Sequence, residues 1–370
     1  MVSIAACPDY SEKSCDAALL EALNGVGGLD WVQPGMVVGI KVNLVTMLKP
    51  EAAATTHPAL VCSLVRLLKE RGADVVIGDS PGGLYNQLYV DRVYAAAGMK
   101  QAEQAGARLN RDFSCKEAHF PAARKAKRFE YTGWLDSCDA IINFCKLKTH
   151  SMMGMSAAVK NLFGAIPGTR KPEMHYLCPK SEDFADMLID LIEYFHPVLH
   201  LVDAVVGMEG NGPTMGKARS IGCLVAGQSA YEVDQVCAKI IGVPEDFVPT
   251  LGQAKLRGLA PEQPEIAGDL TRWQMTDFEL PPQHDVRFFA HTPLAPLMAL
   301  PLQAKPAVKK ELCVGCAKCR EVCPAHAIEM KDHRPVINRK TCIRCFCCQE
   351  FCPKAAMVSR RPLIARLLNK

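Results

Sequence analysis

The chain has 370 residues, of which 49% are hydrophobic, 22% are charged and eighteen are cysteines. That length suits two or three domains with a sizeable core, and that apolar content excludes a disordered chain. The formal charge of +4 treats every cysteine as neutral, so by itself it argues for no polyanionic partner.

Residues up to 275 alternate strand-like and helix-like segments. The start, Met-Val-Ser-Ile-Ala-Ala-Cys7, lacks the charged and apolar regions of a signal peptide and reads as a first strand. Residues 37–43 form a short apolar run that reads as the next strand. Thr56-His-Pro58 opens a helix with Leu60, Val61, Leu64, Val65 and Leu68 on its apolar face, and Arg71-Gly72 closes it. Strands are expected again at 73–77, 140–144, 198–202 and 221–226. Ser229-Ala-Tyr-Glu232 is a capping box for a helix running to Ile241. This alternation predicts an α/β domain, a mostly parallel sheet covered by helices on both faces.

Composition changes near residue 276. Prolines 281, 282, 293, 296, 301 and 306 mark a stiff connector over 276–306. The apolar stretch 288–304 inside it is too broken by His291 and prolines to span a bilayer. Residues 307–358 read as a small α+β domain, with a hairpin from 327–330 and 335–337. The tail, 359–370, is basic and amphipathic and reads as a surface helix.

That small domain holds the strongest motif. Cys313, Cys316, Cys319 and Cys323 form a C-x2-C-x2-C-x3-C-P run, and Cys342, Cys345, Cys348 and Cys352 repeat it 29 positions later. This is the bacterial ferredoxin run for [4Fe–4S] clusters, and two copies imply two clusters. One tight loop can wrap three irons but cannot close round a cubane, so the fourth thiolate comes from the other run. Cys313, Cys316, Cys319 and Cys352 are therefore assigned to one cluster, and Cys342, Cys345, Cys348 and Cys323 to the other. Cys347 breaks the register and is left out. Zinc also binds CxxC pairs, but as two separated pairs, which this run of four fits poorly. Eight thiolates would add about −8 and two oxidised cores about +4, so the loaded protein is near neutral and no nucleic-acid partner is indicated. Abundant cysteine without a signal peptide points to a reducing cytoplasm.

In the large domain, several strands lead into polar segments: Lys41 and Asn43; Gly78-Asp79-Ser80; Cys145 to His150; and Gly207 to Gly212, with Glu209. In an open parallel sheet such ends share one edge, where ligands bind. Lys146, Lys148 and His150 are two apart and would point to one side of an extended chain. Lys160-Asn161, Lys171 and His175 follow. Lysines with histidines suit an anionic substrate, although a solvated basic face would read the same way. Asp79 and Glu209 sit at strand ends, where capping and turn roles compete with a site role. Asp234 either reaches the site or caps a helix. Cys145 beside Lys146 reads as an inert buried thiol more readily than as a nucleophile. The glycine segment 210–216 is not a dinucleotide fingerprint, and no P-loop is present.

At Ile40-Lys-Val-Asn-Leu44, Gly78-Asp-Ser-Pro81, Ile142-Asn-Phe-Cys-Lys-Leu-Lys-Thr-His150, Val159-Lys-Asn-Leu-Phe-Gly164, Asp203-Ala-Val-Val-Gly-Met-Glu-Gly-Asn-Gly-Pro213 and Asp234 the chain resembles the family called domain of unknown function 362, fused to a two-cluster ferredoxin module. The resemblance spans residues 36–260 and the ferredoxin part. Cys145 departs from it, since proline is more usual there. The resemblance implies an iron–sulfur, cytoplasmic redox protein of an anaerobe and gives no reaction.

The expectation is an oxidoreductase whose clusters relay electrons from a low-potential partner protein to an anionic small molecule, with Lys146, Lys148, His150, Lys160, Asn161, Asp79 and Glu209 forming the site. The alternatives are an electron carrier or docking subunit that serves a partner enzyme, and a redox-responsive binding protein with structural clusters. No flavin or nicotinamide motif and no membrane span is expected.

Overall fold

A computed structural model describes residues 1–281 and 304–360. Most of the expected connector and nearly all of the tail lie outside the described residues. The strands in chain order are β1 (Val2–Ala6), β2 (Val37–Lys41), β3 (Asp74–Gly78), β4 (Arg108–Leu109), β5 (Cys115–His119), β6 (Arg128–Thr132), β7 (Ala140–His150), β8 (Gly154–Ser156), β9 (Leu199–Glu209), β10 (Lys217–Gly227) and β11 (Ile266–Ala267). The cysteine-rich part adds β12 (Lys305–Val308), β13 (Ile328–Lys331), β14 (Arg334–Ile337) and β15 (Met357–Arg360).

One sheet runs β11-β1-β10-β9-β7-β2-β3-β4, with β8 attached to β7. Its centre, β9-β7-β2-β3-β4, is parallel, while β10 pairs antiparallel to both β9 and β1. Helices cover both faces. Glu12–Asn24, Pro58–Glu70 and Gln87–Ala96 pack on one, and Ser181–Phe195 and Ala230–Ile240 on the other. The α/β expectation holds for a physical reason. A strand buried on both faces is built mostly of apolar residues, and Ile40, Ile77, Ile142 and Leu201 are fully buried. The helix Pro58–Glu70 starts on proline, which fits the first helical turn, and buries Leu60, Val61, Leu64, Val65 and Leu68 completely. Ser229 caps its helix by accepting from the Glu232 amide (3.3 Å). The Glu232 carboxylate does not complete the box but accepts from the Met1 ammonium at 3.2 Å.

Two strands run further than their apolar cores suggest. β7 continues through Cys145–His150 and β9 through Gly207–Glu209, where polar loops were expected. Their ladder hydrogen bonds continue to β8 and β10, so the polar side chains there are buried instead of solvated.

The cysteine-rich part is a pseudo-repeat. β13 and β14 form the expected hairpin and β12 pairs with β15. Short helices at Lys318–Glu321 and Cys347–Glu350 each follow a residue with left-handed backbone, Ala317 and Phe346, both at φ 60°. Among the described residues, no helix is long and apolar enough to cross a membrane.

Candidate functional site

The chain passes from β2 to β3 and β4 on one side, then returns to β7 and β9 on the other. The strand order therefore reverses between β2 and β7, and the crevice beyond their carboxyl ends is where such sheets bind ligands. Lys41, the last residue of β2, and Asp79, just after β3, form a buried ion pair there (2.8 Å; 1% and 2% exposed). Lys41 Nζ also donates to Asn161 Oδ1 (3.0 Å), and Asp79 Oδ2 accepts from the Leu44 amide (2.7 Å). Asn161 Nδ2 donates to Asn143 Oδ1 at 2.7 Å, tying this corner to β7.

Lys160 and Asn161 ride on the helical turn Ala158–Asn161. Asp234 fixes that turn by accepting from the amides of Ala158 (2.6 Å) and Val159 (3.2 Å). Burial pushes the Asp234 carboxyl up to about 7, against the pull of those two amides. Asp234 is thus a cap, but of a different helix from its own. Gly164 allows the corner to close. A Cβ there would lie 2.0 Å from Asp79 Oδ1 and 2.2 Å from Lys41 Nζ. Gly164→Ala is expected to cost about 1–3 kcal/mol by overpacking, seen as a lower denaturation midpoint of the cluster-loaded protein. An unchanged midpoint would show that the ion pair can shift freely.

Asp79, Lys148, His150, Lys160, Asn161 and Lys171 line one pocket, together with Glu350 and Phe351 from the cysteine-rich part. Its cavity volume is about 70 Å³, room for a few water-sized groups. Lys41 holds Asp79, and His150 Nε2 lies 3.1 Å from Glu350 Oε1. The other three lysines have neutral main contacts. Lys148 Nζ donates to the Ala54 carbonyl (2.6 Å), Lys171 Nζ to the Ser80 carbonyl, and Lys160 Nζ sits 4.5 Å over the Phe163 ring. Burial, reinforced by Lys160, brings Lys148 down to about 7. Burial does the same to Lys171, and it lowers Lys160. Burial also lowers His150. Its Nδ1 accepts from the amides of Met152 (3.1 Å) and Met153 (3.2 Å), which leaves the proton of the neutral ring on Nε2, facing Glu350. Burial would raise Glu350, but His150 and then Lys160 outweigh it and hold the carboxyl at about 2. The arrangement is a small, lysine-rich pocket with two lysines, Lys148 and Lys171, poised near neutrality for proton transfer.

Two expected members lie elsewhere. Lys146 is not among the residues that line the pocket: beside it on β9 lies Asp203, whereas Lys148, past a register slip, lies beside Met208. Lys146 Nζ is instead bound by Asp203 (2.7 Å) and the Tyr10 hydroxyl (2.8 Å). Glu209 accepts from the Glu279 amide at 3.1 Å, outside the pocket lining. Cys145 is a buried thiol that donates to the Leu201 carbonyl (3.3 Å), and burial holds it well above the usual thiol range. Glu350 and Phe351 carried no sequence signal beyond their place between two motif cysteines.

The cysteine-rich part docks at this edge. Gln349 is fully buried, and its Nε2 donates to Ser151 Oγ (3.2 Å) and Asn211 Oδ1 (3.1 Å). Phe351 packs on Gly82, where a Cβ would come within 2.9 Å of the ring. Behind this contact the thiols ring two separate cavities. Cys313, Cys316, Cys319 and Cys352 line one, with a cavity volume of about 20 Å³. Cys323, Cys342, Cys345, Cys347 and Cys348 line the other, also of about 20 Å³. The thiol environments agree. Cys319 is pushed up to about 11 by burial, with Cys352, Cys313 and Cys316 adding to it. Cys348 is raised by burial, then by Cys345, Cys342 and Cys323. The Ala327 amide donates to Cys323 Sγ (3.2 Å) and the Ala356 amide to Cys352 Sγ (3.3 Å), in matching positions of the repeat. An all-sulfur donor set spread around a cavity is the chemistry an iron–sulfur cubane needs.

A family profile described as a 4Fe-4S dicluster domain matches residues 305–353, so this is an iron–sulfur protein that binds [4Fe–4S] cofactor. A second profile, described as "Domain of unknown function (DUF362)", matches residues 38–239. "Thylakoid-associated protein sll1697" of Synechocystis sp. (strain ATCC 27184 / PCC 6803 / Kazusa) is 30% identical over 278 residues, covering 73% of this chain and 83% of that protein. Among solved structures, the lactate racemase apoprotein from Thermoanaerobacterium thermosaccharolyticum aligns at a TM-score of 0.41 and 13% identity, over 66% of this chain and 57% of that one. By its profile match and its relative, the chain belongs to the DUF362 family, in a form joined to a 4Fe-4S dicluster domain.

Proposed function

We propose that the chain is an iron–sulfur oxidoreductase whose cysteines would hold two [4Fe–4S] clusters, through which a low-potential partner protein would reduce a small anion bound in the lysine pocket. Cys313, Cys316, Cys319 and Cys352 hold one cluster, and Cys342, Cys345, Cys348 and Cys323 the other. Bound there, the clusters supply low-potential one-electron chemistry. The observation that carries this reading is that Glu350 and Phe351, lying between Cys348 and Cys352, form a wall of the pocket. A carrier would have no need to bury its cluster loop against a cationic crevice. Residues 1–275 are the substrate-binding body in this proposal, and 307–358 the electron-transfer module.

The chain's own residues have separate tasks. Lys148, Lys160 and Lys171 bind and orient the anion. Lys148, near neutrality, gives or takes the proton that accompanies an electron. His150 holds the Glu350 carboxylate in place at the inner wall. The first cysteine cavity lies near the surface: Cys316 is exposed, as are Val314 (63%) and Leu312 (41%). That end suits electron exchange with a low-potential partner protein. A cytoplasmic setting remains part of this proposal, supported by the eighteen cysteines. The name of the Synechocystis relative ties that protein to thylakoids.

The test is the electron paramagnetic resonance spectrum of the anaerobically reduced protein, titrated with oxalate, acetate or phosphate. A saturable change in one of two cluster signals, abolished by Lys148→Ala with both clusters still reducible, is expected. An anion-blind spectrum would favour the carrier. The pH dependence has a definite sign. Lys148 and Lys171, lowered to about 7, carry charge below that pH and lose it above. Anion affinity is therefore expected to fall between pH 6 and pH 8, and binding at pH 8 to take up protons, read by calorimetry in buffers of different ionisation heat.

A further inference from the structure

The lysine pocket is too small for most organic substrates, yet it does not end blindly. A groove of about 690 Å³ adjoins it and shares Thr46, Gly82, Glu350 and Phe351 with it. The groove lies between the α/β body and the cysteine-rich part. Met47, Leu84, Met215 and Pro353 give it apolar walls, and Cys316 and Cys352 reach its lining. Met47 and Leu84, which both line the groove, are 45% and 57% exposed, a high exposure for apolar side chains. Phe351 borders both spaces, and Gly82 leaves room for its ring.

We infer that the ligand is an amphipathic organic anion. Its charged head sits among Lys148, Lys160 and Lys171, and its apolar body extends past Phe351 along Met47 and Leu84. This rests on the anion-binding reading of the pocket and names the class of molecule it takes. The occupant follows from the continuity of the two spaces. A purely inorganic anion would leave the apolar walls without a task, and a purely apolar ligand would leave the three lysines without one. The groove also runs beside Cys316 and Cys352, both assigned to the first cluster, so a ligand lying in it passes close to that cluster.

The experiment is calorimetric titration of the full chain, loaded with clusters and handled anaerobically, with acetate, butanoate, hexanoate and octanoate, and with octanol as the uncharged control. Each buried methylene is worth about fourfold in affinity, so hexanoate is expected to bind at least tenfold more tightly than acetate, and octanol not to compete with it. Leu84→Asp is expected to collapse the hexanoate-to-acetate ratio towards one. Lys148→Met is expected to weaken both. Acetate binding with no gain on lengthening would overturn the inference and leave the anionic pocket standing, with the groove then covered by a partner or by another part of the chain. No binding of any carboxylate would overturn the pocket reading as well. A chain-length gain that survives Leu84→Asp unchanged would place the apolar body elsewhere and also sink the inference.

Discussion

Replacing Cys352 with alanine is expected to remove the cluster of the first cysteine run, not the second. Iron should fall from about eight to about four atoms per chain. The reasoning is geometric. Cys352 lines the cavity of Cys313, Cys316 and Cys319, while Cys323 lines that of Cys342, Cys345 and Cys348. Double variants make the crossing visible. Cys316→Ala with Cys352→Ala should lose no more iron than either alone, because both break one cluster. Cys316→Ala with Cys323→Ala should lose nearly all of it. The opposite pattern would show that each run closes on its own cluster. The short helix Cys347–Glu350 carries both Cys348 of the second cavity and Glu350 of the pocket wall, so the anion-sensitive signal should disappear with Cys323→Ala. Cys347→Ala should keep about eight irons; a loss of four would make that thiol a ligand.

Much of this architecture could be read before any coordinates. The apolar runs at 37–43, 73–77, 140–144 and 198–202 read as strands because burial on both faces favours apolar residues, and their alternation with helices implies a parallel sheet. The cysteine repeat announces its cofactor because ligand spacing is a direct geometric constraint. What sequence could not give was the docking of one domain on the other. Glu321 and Glu350 occupy equivalent positions, 29 residues apart, in the two cysteine runs. Glu321 is exposed and pairs with Lys318, whereas Glu350 is buried against His150. No local pattern separates them, since the difference comes entirely from the surface each meets. The lysines show the same limit. Period-two spacing says nothing of what each lysine meets: Lys146 is held by Asp203 of β9, whereas Lys148 reaches the Ala54 carbonyl and the pocket. Lys41 and Lys171 join the corner because the end of β2 and the start of the helix Lys171–Leu177 converge there, 130 residues apart in sequence.

Lys146→Met is expected to be among the most destabilising single changes in the α/β body, at about 3–5 kcal/mol. Lys146 and Asp203 are 1% and 0% exposed. Asp203 Oδ1 accepts from the Tyr10 hydroxyl (2.9 Å), and Oδ2 from the His57 amide (2.9 Å) and from Lys146 Nζ. Tyr10 stacks on the His57 ring at 3.5 Å, so the network joins the amino-terminal segment, the start of a helix and two central strands. Removing the ammonium leaves a buried carboxylate with neutral donors only, and that uncompensated charge is the source of the loss. Adding Asp203→Asn to Lys146→Met should recover part of it, because the amide keeps an acceptor for the neutral donors without the charge. Lys148→Met makes the contrast. It deletes a cation whose neighbours include Lys160, at the cost of one hydrogen bond to the Ala54 carbonyl. Its stability should change by only about 1 kcal/mol, while anion binding is lost. Denaturant melts of the two variants, set beside their anion titrations, separate the lysine that holds the fold from the lysine that serves the pocket. Equal melting losses in both would merge the two roles and overturn the assignment.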